Sequence, residues 1–136
     1  MIRTSRRSYL PVIELGTTAK MQKKNMNSPD ETRSFDKGKA EIITLANGVT
    51  IGRGYCEPGW SWEKCIKPIA KTESCQVPHT SYMISGRMRI KMDDGSEEEF
   101  GPGDVGYVPP GHNAWVVGNE PVVAIDFTGM TDFAKK

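Results

Sequence analysis

Closely spaced turn signals are the feature of this 136-residue sequence that most restricts its fold. Between residues 40 and 127, short β-rich or alternating segments are separated by turns rich in glycine and proline, at Asn47-Gly48, Pro58-Gly59, Gly86, Asp94-Gly95, Pro102-Gly103 and Gly118-Asn119. Asn-Gly and Asp-Gly pairs between such segments are typical of tight β-hairpins. Short strands that recur about every 8–12 residues predict an antiparallel sandwich or barrel. The sequence therefore predicts a single all-β domain.

The distribution of charge separates the start of the chain from the rest. Residues 1–27 hold six basic side chains and one acidic side chain, whereas the whole chain has a net charge of only +1. This segment shows no strand or helix period. We therefore expect a disordered basic tail over residues 1–27, a β-domain over residues 28–130 and a C-terminal tail over residues 131–136. An organellar targeting segment at the start stays open as an alternative.

Composition excludes several classes of partner. A net charge of +1 provides no overall attraction to nucleic acid. No apolar run approaches the roughly 20 residues of a membrane-spanning helix. We therefore expect neither nucleic acid nor membrane as a partner. Three cysteines cannot all pair with one another, so the count favours free or metal-bound thiols in the reducing cytoplasm.

The two histidines of the chain lie beside turn signals. His112 directly follows the strand-ending run Pro109-Pro110-Gly111, and His79 stands in a segment with Glu73 and Cys75. The spacing of Glu73, Cys75 and His79 places all three side chains on one face of an extended strand, because the side-chain period of a strand is two. Carboxylate, thiolate and imidazole groups are all metal ligands. Either a metal site or a set of hydrogen-bonded pocket residues agrees with this pattern.

The turns around these histidines carry a family resemblance. The run Gly103-x5-Pro109-x-Gly111 resembles the second sequence motif of the cupin superfamily, and His79-x6-Gly86 is similar to the end of the first cupin motif. In the second motif His112 comes two residues early, and Ala114 stands at the usual histidine position. The resemblance covers about residues 40–127 and implies an antiparallel jelly-roll barrel.

The resemblance also implies a ligand set. Glu73, Cys75 and His79 stand where the first cupin motif has its two histidines and its glutamate. Together with His112, they would hold one divalent metal ion. The sulfur ligand favours zinc over iron.

Two functions follow from the resemblance and stay open. The first is a metal-dependent enzyme that acts on a small polar molecule by an isomerase, lyase or oxygenase reaction. The second is a non-catalytic barrel that binds or senses a small molecule without metal. Trp60, Trp62 and Ser81 are predicted to line the ligand pocket, although burial in the core is the favoured interpretation of the two indoles. The resemblance further implies a homodimer.

Overall fold

A computed structural model describes residues 20–136 of the chain. Residues 1–19, which form most of the predicted tail, lie outside the described residues. Two short helices, α1 (Trp62–Cys65) and α2 (Lys67–Ala70), interrupt the series of strands in this part of the chain. The strands are β1 (Glu31–Phe35), β2 (Gly38–Thr44), β3 (Thr50–Cys56), β4 (His79–Ser85), β5 (Arg87–Met92), β6 (Glu97–Phe100), β7 (Val105–Val108), β8 (His112–Val117) and β9 (Val122–Asp126).

These strands form two antiparallel sheets. The large sheet has the order β1-β2-β3-β9-β4-β7, and the small sheet has the order β6-β5-β8. The predicted all-β antiparallel jelly roll is confirmed. The closed barrel is not: within residues 20–136 the two sheets form a sandwich, and single bridges such as Cys75–His112 replace a continuous ladder between the strand sets. The segment 57–78 supplies helices and loops instead of a strand that could close the sheet.

Hairpin turns form where the sequence predicts them. Asn47-Gly48 joins β2 to β3, and Asn47 Oδ1 accepts a hydrogen bond of 3.1 Å from the Val49 backbone N–H. Gly48 and Gly95 have φ angles of 90° and 95°, in the left-handed region that side chains disfavour. Asp94-Gly95 joins β5 to β6 in the same way. These two turns fix the register of the hairpins.

Side chains that alternate toward the space between the sheets form the core. Trp60 and Trp62 are 3% and 2% exposed, which makes them two of the most completely buried residues. The chain after β9 returns to this core, since Met130 and Ala134 are also buried. Arg33 on β1 holds this return by donating hydrogen bonds to the backbone oxygens of residues 130 and 133, at 2.9 and 2.7 Å. The last residues of the chain are therefore packed against the core.

Candidate metal site

Three of the four predicted metal ligands meet between the sheets. One ligand atom from each of Cys75, His79 and His112 lies within 4.8 Å of the others. Cys75 Sγ is 3.9 Å from His79 Nε2. The two imidazole rings are 5.4 Å apart between centroids and inclined by 69°. A thiol and two imidazoles thus converge on a single point.

The turn before β8 positions His112. Gly111 has a φ angle of 92°, and His112 Nδ1–H donates a hydrogen bond of 2.8 Å to the backbone oxygen of Pro109. This bond leaves Nε2 as the free ring nitrogen. His112 and Ala114 are both buried, because residues two apart on a strand share a face. The two-residue displacement of the histidine from the cupin motif therefore keeps its imidazole inside the sandwich.

Backbone pairing holds Cys75 against the same turn. The Cys75 N–H donates to the His112 oxygen at 2.8 Å, and the Gly111 N–H donates to the Cys75 oxygen at 2.7 Å. The Cys75 side chain is 2% exposed. The bridge between the two segments thus fixes the separation of the Cys75 and His112 backbones, from which both side chains extend into the space between the sheets.

Glu73 does not join this cluster. Its side chain is 98% exposed, and its carboxylate lies 3.5 Å from Lys67 Nζ at the surface. The predicted alternation requires a continuous strand from residue 73 to residue 79. Bends and a single bridge at Cys75 occupy this stretch instead, and β4 begins only at His79, after Pro78. Glu73 is therefore corrected to a surface residue.

Sequence reasoning missed Asp126, the residue that most directly supports His79. Asp126 is 4% exposed at the end of β9, and its Oδ2 accepts a short hydrogen bond from His79 Nδ1–H. Its Oδ1 accepts from the backbone N–H groups of Thr128 and Gly129, at 2.9 and 2.8 Å. The β4–β9 register pairs Asp126 with Ser81, so His79 is its diagonal neighbour. The inward parity of Val122, Ala124 and Asp126 along β9 is the signal that could have identified it.

Mutual interactions move the pKa values of this group in opposite directions. Burial opposes ionisation of the Cys75 thiol, but interactions with His112 and His79 outweigh it and lower the pKa of Cys75 to about 6. Burial likewise disfavours the imidazolium, yet hydrogen bonds with Asp126 and Cys75 raise the pKa of His79 to about 9. The pKa of the buried thiol of Cys56, by contrast, is raised to about 12 by desolvation and by the neighbouring Cys65. Cys75 is thus chemically distinct from a packing cysteine.

A cavity of about 120 Å³ opens beside the three ligand atoms. Trp60, Trp62 and Ser81, the predicted pocket residues, all contribute to its wall. Most of the remaining wall is apolar and comes from both sheets. The indole N–H groups of Trp60 and Trp62 are buried, and no acceptor for them lies among residues 20–136. The two indoles therefore belong to the core and to the cavity wall at once.

A two-sheet jelly roll with a histidine cluster between its sheets defines the class of small cupin domains. The family model described as the EutQ-like cupin domain matches residues 58–125, and the chain belongs to this cupin family. The matched segment begins before Trp60 and ends just before Asp126, so it contains Cys75, His79 and His112. No curated protein matches the chain.

Solved structures share the fold at low sequence identity. A Rhizobium leguminosarum protein of unknown function is 24% identical with a TM-score of 0.59, over 82% of this chain and 98% of that chain. Oxalate decarboxylase from Lactobacillus farciminis, solved as a formate complex, is 18% identical with a TM-score of 0.54, over 76% of this chain and 32% of that chain. A variant of the Bacillus subtilis oxalate decarboxylase is 22% identical with a TM-score of 0.55, over 76% of this chain and 29% of that chain.

The similarity to the oxalate decarboxylases covers only part of their chains. This chain spans about a third of the length of the oxalate decarboxylases and nearly all of the Rhizobium protein. Among residues 20–136, no helix has the length and apolar character needed to cross a membrane.

Proposed function

We propose that this protein is a metal-dependent cupin that binds one divalent ion through Cys75 Sγ, His79 Nε2 and His112 Nε2. One ligand atom from each of these three residues lies within 4.8 Å of the others, and this convergence is the observation that carries the proposal. Three protein ligands leave a position for water or substrate, as in catalytic zinc sites. Zinc is favoured over iron, because a thiolate ligand suits zinc and is easily oxidised beside an open iron site. When bound, the ion would polarise a substrate oxygen or activate water.

The hydrogen bonds on the outer ring nitrogens of both histidines support this assignment. Each histidine uses Nδ1–H as a donor, His79 to the Asp126 carboxylate and His112 to the Pro109 oxygen. Both contacts hold Nε2 unprotonated and directed at the cluster in the neutral ring. Metal-bound histidines commonly have such partners on their second nitrogen, and loss of the partner weakens metal binding.

The cavity limits the substrate to a small molecule. Its volume of about 120 Å³ is well below the roughly 300–1,000 Å³ of ordinary ligand pockets. An apolar protein cavity of about 150 Å³ holds a molecule the size of benzene. We therefore propose a substrate of a few heavy atoms that carries an oxygen for the ion. The formate of the Lactobacillus oxalate decarboxylase complex is in this size range.

One observation favours the alternative, a metal-free binding module. Within the described part of the chain, the buried indole N–H groups of Trp60 and Trp62 have no acceptor. A buried donor without a partner costs about 1–3 kcal/mol, which a ligand oxygen would recover once the indole edges turned toward the cavity. A module of this kind would bind a small polar molecule between the indoles and the histidines without any reaction.

A homodimer is part of the proposal. β7 is an edge strand of the large sheet, and its outward side chains Val105 and Tyr107 are 70% and 64% exposed. Exposed apolar side chains on an edge strand suit a contact with a second copy. Light scattering on the purified protein should give twice the chain mass, and Tyr107→Lys should shift it toward the monomer.

Metal stoichiometry tests the main proposal. Elemental analysis of the purified, untagged wild type should find about one ion per chain. Cys75→Ser and His112→Ala should lose most of it, because each removes a ligand atom. Cys56→Ser is the matched control, since it removes a buried thiol outside the cluster. Equal occupancy in all four proteins, or no ion in the wild type after metal-replete expression, would leave the metal-free module as the better account.

A further inference from the structure

The side chains of Cys75, His79 and Asp126 contact one another in series. Cys75 Sγ lies 3.9 Å from His79 Nε2, and the opposite ring nitrogen, Nδ1, contacts the Asp126 carboxylate. Thr128 and Gly129 fix the other carboxylate oxygen through their backbone N–H groups. A nucleophile beside a base, with the base oriented by a third group, is the arrangement of covalent catalysis on several unrelated folds.

We propose that the metal-free protein uses Cys75 as a nucleophile that adds to small α,β-unsaturated carbonyl compounds in the cavity, with His79 as base and Asp126 as its positioning residue. This activity goes beyond the proposed metal chemistry and uses the same sulfur. A bound ion would occupy the sulfur and His79 Nε2 together. Metal and electrophile are therefore expected to exclude one another.

The proposed step is balanced without a further reactant. The Cys75 sulfur forms a bond to the β carbon of the electrophile, and the carbon–carbon π bond breaks to give an enolate. The proton that leaves the thiol is held on His79 Nε2 and passes to the α carbon. There is no leaving group, and nothing is oxidised or reduced.

The surroundings of the thiol select the electrophile. The cavity volume of about 120 Å³ restricts it to a few heavy atoms, and the apolar wall favours a neutral molecule. Trp60 and Trp62 belong to this wall and add to its apolar surface. An unsaturated amide with five heavy atoms, acrylamide, meets these requirements and serves as the probe.

Cys56 and Cys65 provide an internal comparison. Both are buried, at 7% and 4% exposure, and among residues 20–136 neither belongs to the group of possible metal ligands that contains the histidines. Any general loosening of the fold would expose all three thiols, whereas the proposed chemistry acts at Cys75 alone. The ratio of labelling at Cys75 to labelling at Cys56 thus separates reactivity from unfolding.

The experiment measures acrylamide labelling at each cysteine by peptide mass spectrometry, in the full chain after chelator treatment and again after zinc loading. Cys75 should react at least tenfold faster than Cys56 and Cys65. His79→Gln should lower the Cys75 rate by about a hundredfold, the lower end of the contribution of a general base. Asp126→Asn should also lower it, without raising the rate at Cys56. If His79→Gln does not fold, Asp126→Asn alone decides the role of the base.

Two results would overturn the proposal: equal rates at the three cysteines in the folded wild type, or a Cys75 rate that His79→Gln and Asp126→Asn leave unchanged. The zinc arm bears on the metal proposal separately. Protection of Cys75 by zinc supports both proposals, whereas unchanged fast labelling in zinc supports the nucleophile and contradicts metal binding. Failure of the nucleophile with full zinc occupancy would leave metal binding intact.

Discussion

Replacement of Asp126 by asparagine tests the metal site without removing a ligand. The amide keeps an oxygen for the Thr128 and Gly129 N–H groups, which the carboxylate accepts at 2.9 and 2.8 Å. Its NH₂ group replaces the oxygen that accepts from His79 Nδ1–H. The imidazole then has to accept at Nδ1, which moves its proton to Nε2, and a protonated Nε2 cannot bind an ion.

The expected loss of metal affinity follows from the hydrogen bond between His79 Nδ1 and residue 126. To bind the ion, His79 must return its proton to Nδ1, which leaves the buried amide facing a donor. An unmet buried hydrogen bond costs about 1–3 kcal/mol. That corresponds to a dissociation constant roughly 5- to 160-fold larger, which means weaker binding. Loss of an outer-shell partner generally costs about 10–100-fold in metal affinity, which agrees with this range.

Competition titration with a chromophoric zinc chelator measures this change. Asp132→Asn, the same substitution at an exposed position, is the matched control and should leave the dissociation constant unaltered. A dissociation constant for Asp126→Asn within about twofold of the wild type, in a variant with unchanged circular dichroism, would refute the assignment of His79 Nε2 as a metal ligand.

Three further outcomes are expected. Zinc affinity should rise about tenfold per pH unit between pH 6 and 9, because the ion displaces a proton from His79, whose pKa is about 9. It should rise more steeply below pH 6, where Cys75 is also protonated. Calorimetry in buffers of different ionisation enthalpy counts these protons, and an affinity that does not change with pH would contradict the shifted pKa values. Glu73→Gln should leave zinc stoichiometry unchanged, because the side chain is 98% exposed; elemental analysis showing a large loss would return it to the site. Gly86→Ala should lower the melting temperature by roughly 5–10 °C, because the alanine would have to adopt a positive φ of 77° and its Cβ would overlap with the neighbouring backbone. Gly95→Ala has open space around the added Cβ, so it should lower the melting temperature clearly less. Equal shifts in the two variants would show that the overlap at residue 86 relaxes.

The residues at the turns made it possible to predict the strands from the sequence. Asn47-Gly48 and Asp94-Gly95 carry their signal within two residues, and both join strands as predicted. Strand β1 was harder to recognise, because its sequence Glu31–Phe35 is largely polar and its partner β2 supplies the apolar face. The openness of the sandwich depends on the long segment 57–78, whose helices and loops have no strong sequence period.

The site was predictable only where strand alternation holds. His112 lies on a regular strand, so its inward direction follows from parity. The prediction of Glu73 as a metal ligand failed, because Pro78 and the bends before it break the strand alternation on which the prediction depended. Asp126 was overlooked for a different reason: its partner His79 is 47 residues away in the sequence, and only the β4–β9 register brings the two together. Contacts of this range arise from sheet topology, which local pattern does not encode.

The placement of the cluster across both layers links its chemistry to the mechanics of the sandwich. His79 belongs to the large sheet and His112 to the small one. An ion held by both imidazoles would act as a clamp between the layers, comparable to a reversible cross-link. The two sheets could then move apart only when the ion dissociates. Amide hydrogen exchange in β4 and β8 should therefore slow when the ion is bound. A ligand that enters the cavity would meet a more rigid wall than the metal-free protein offers.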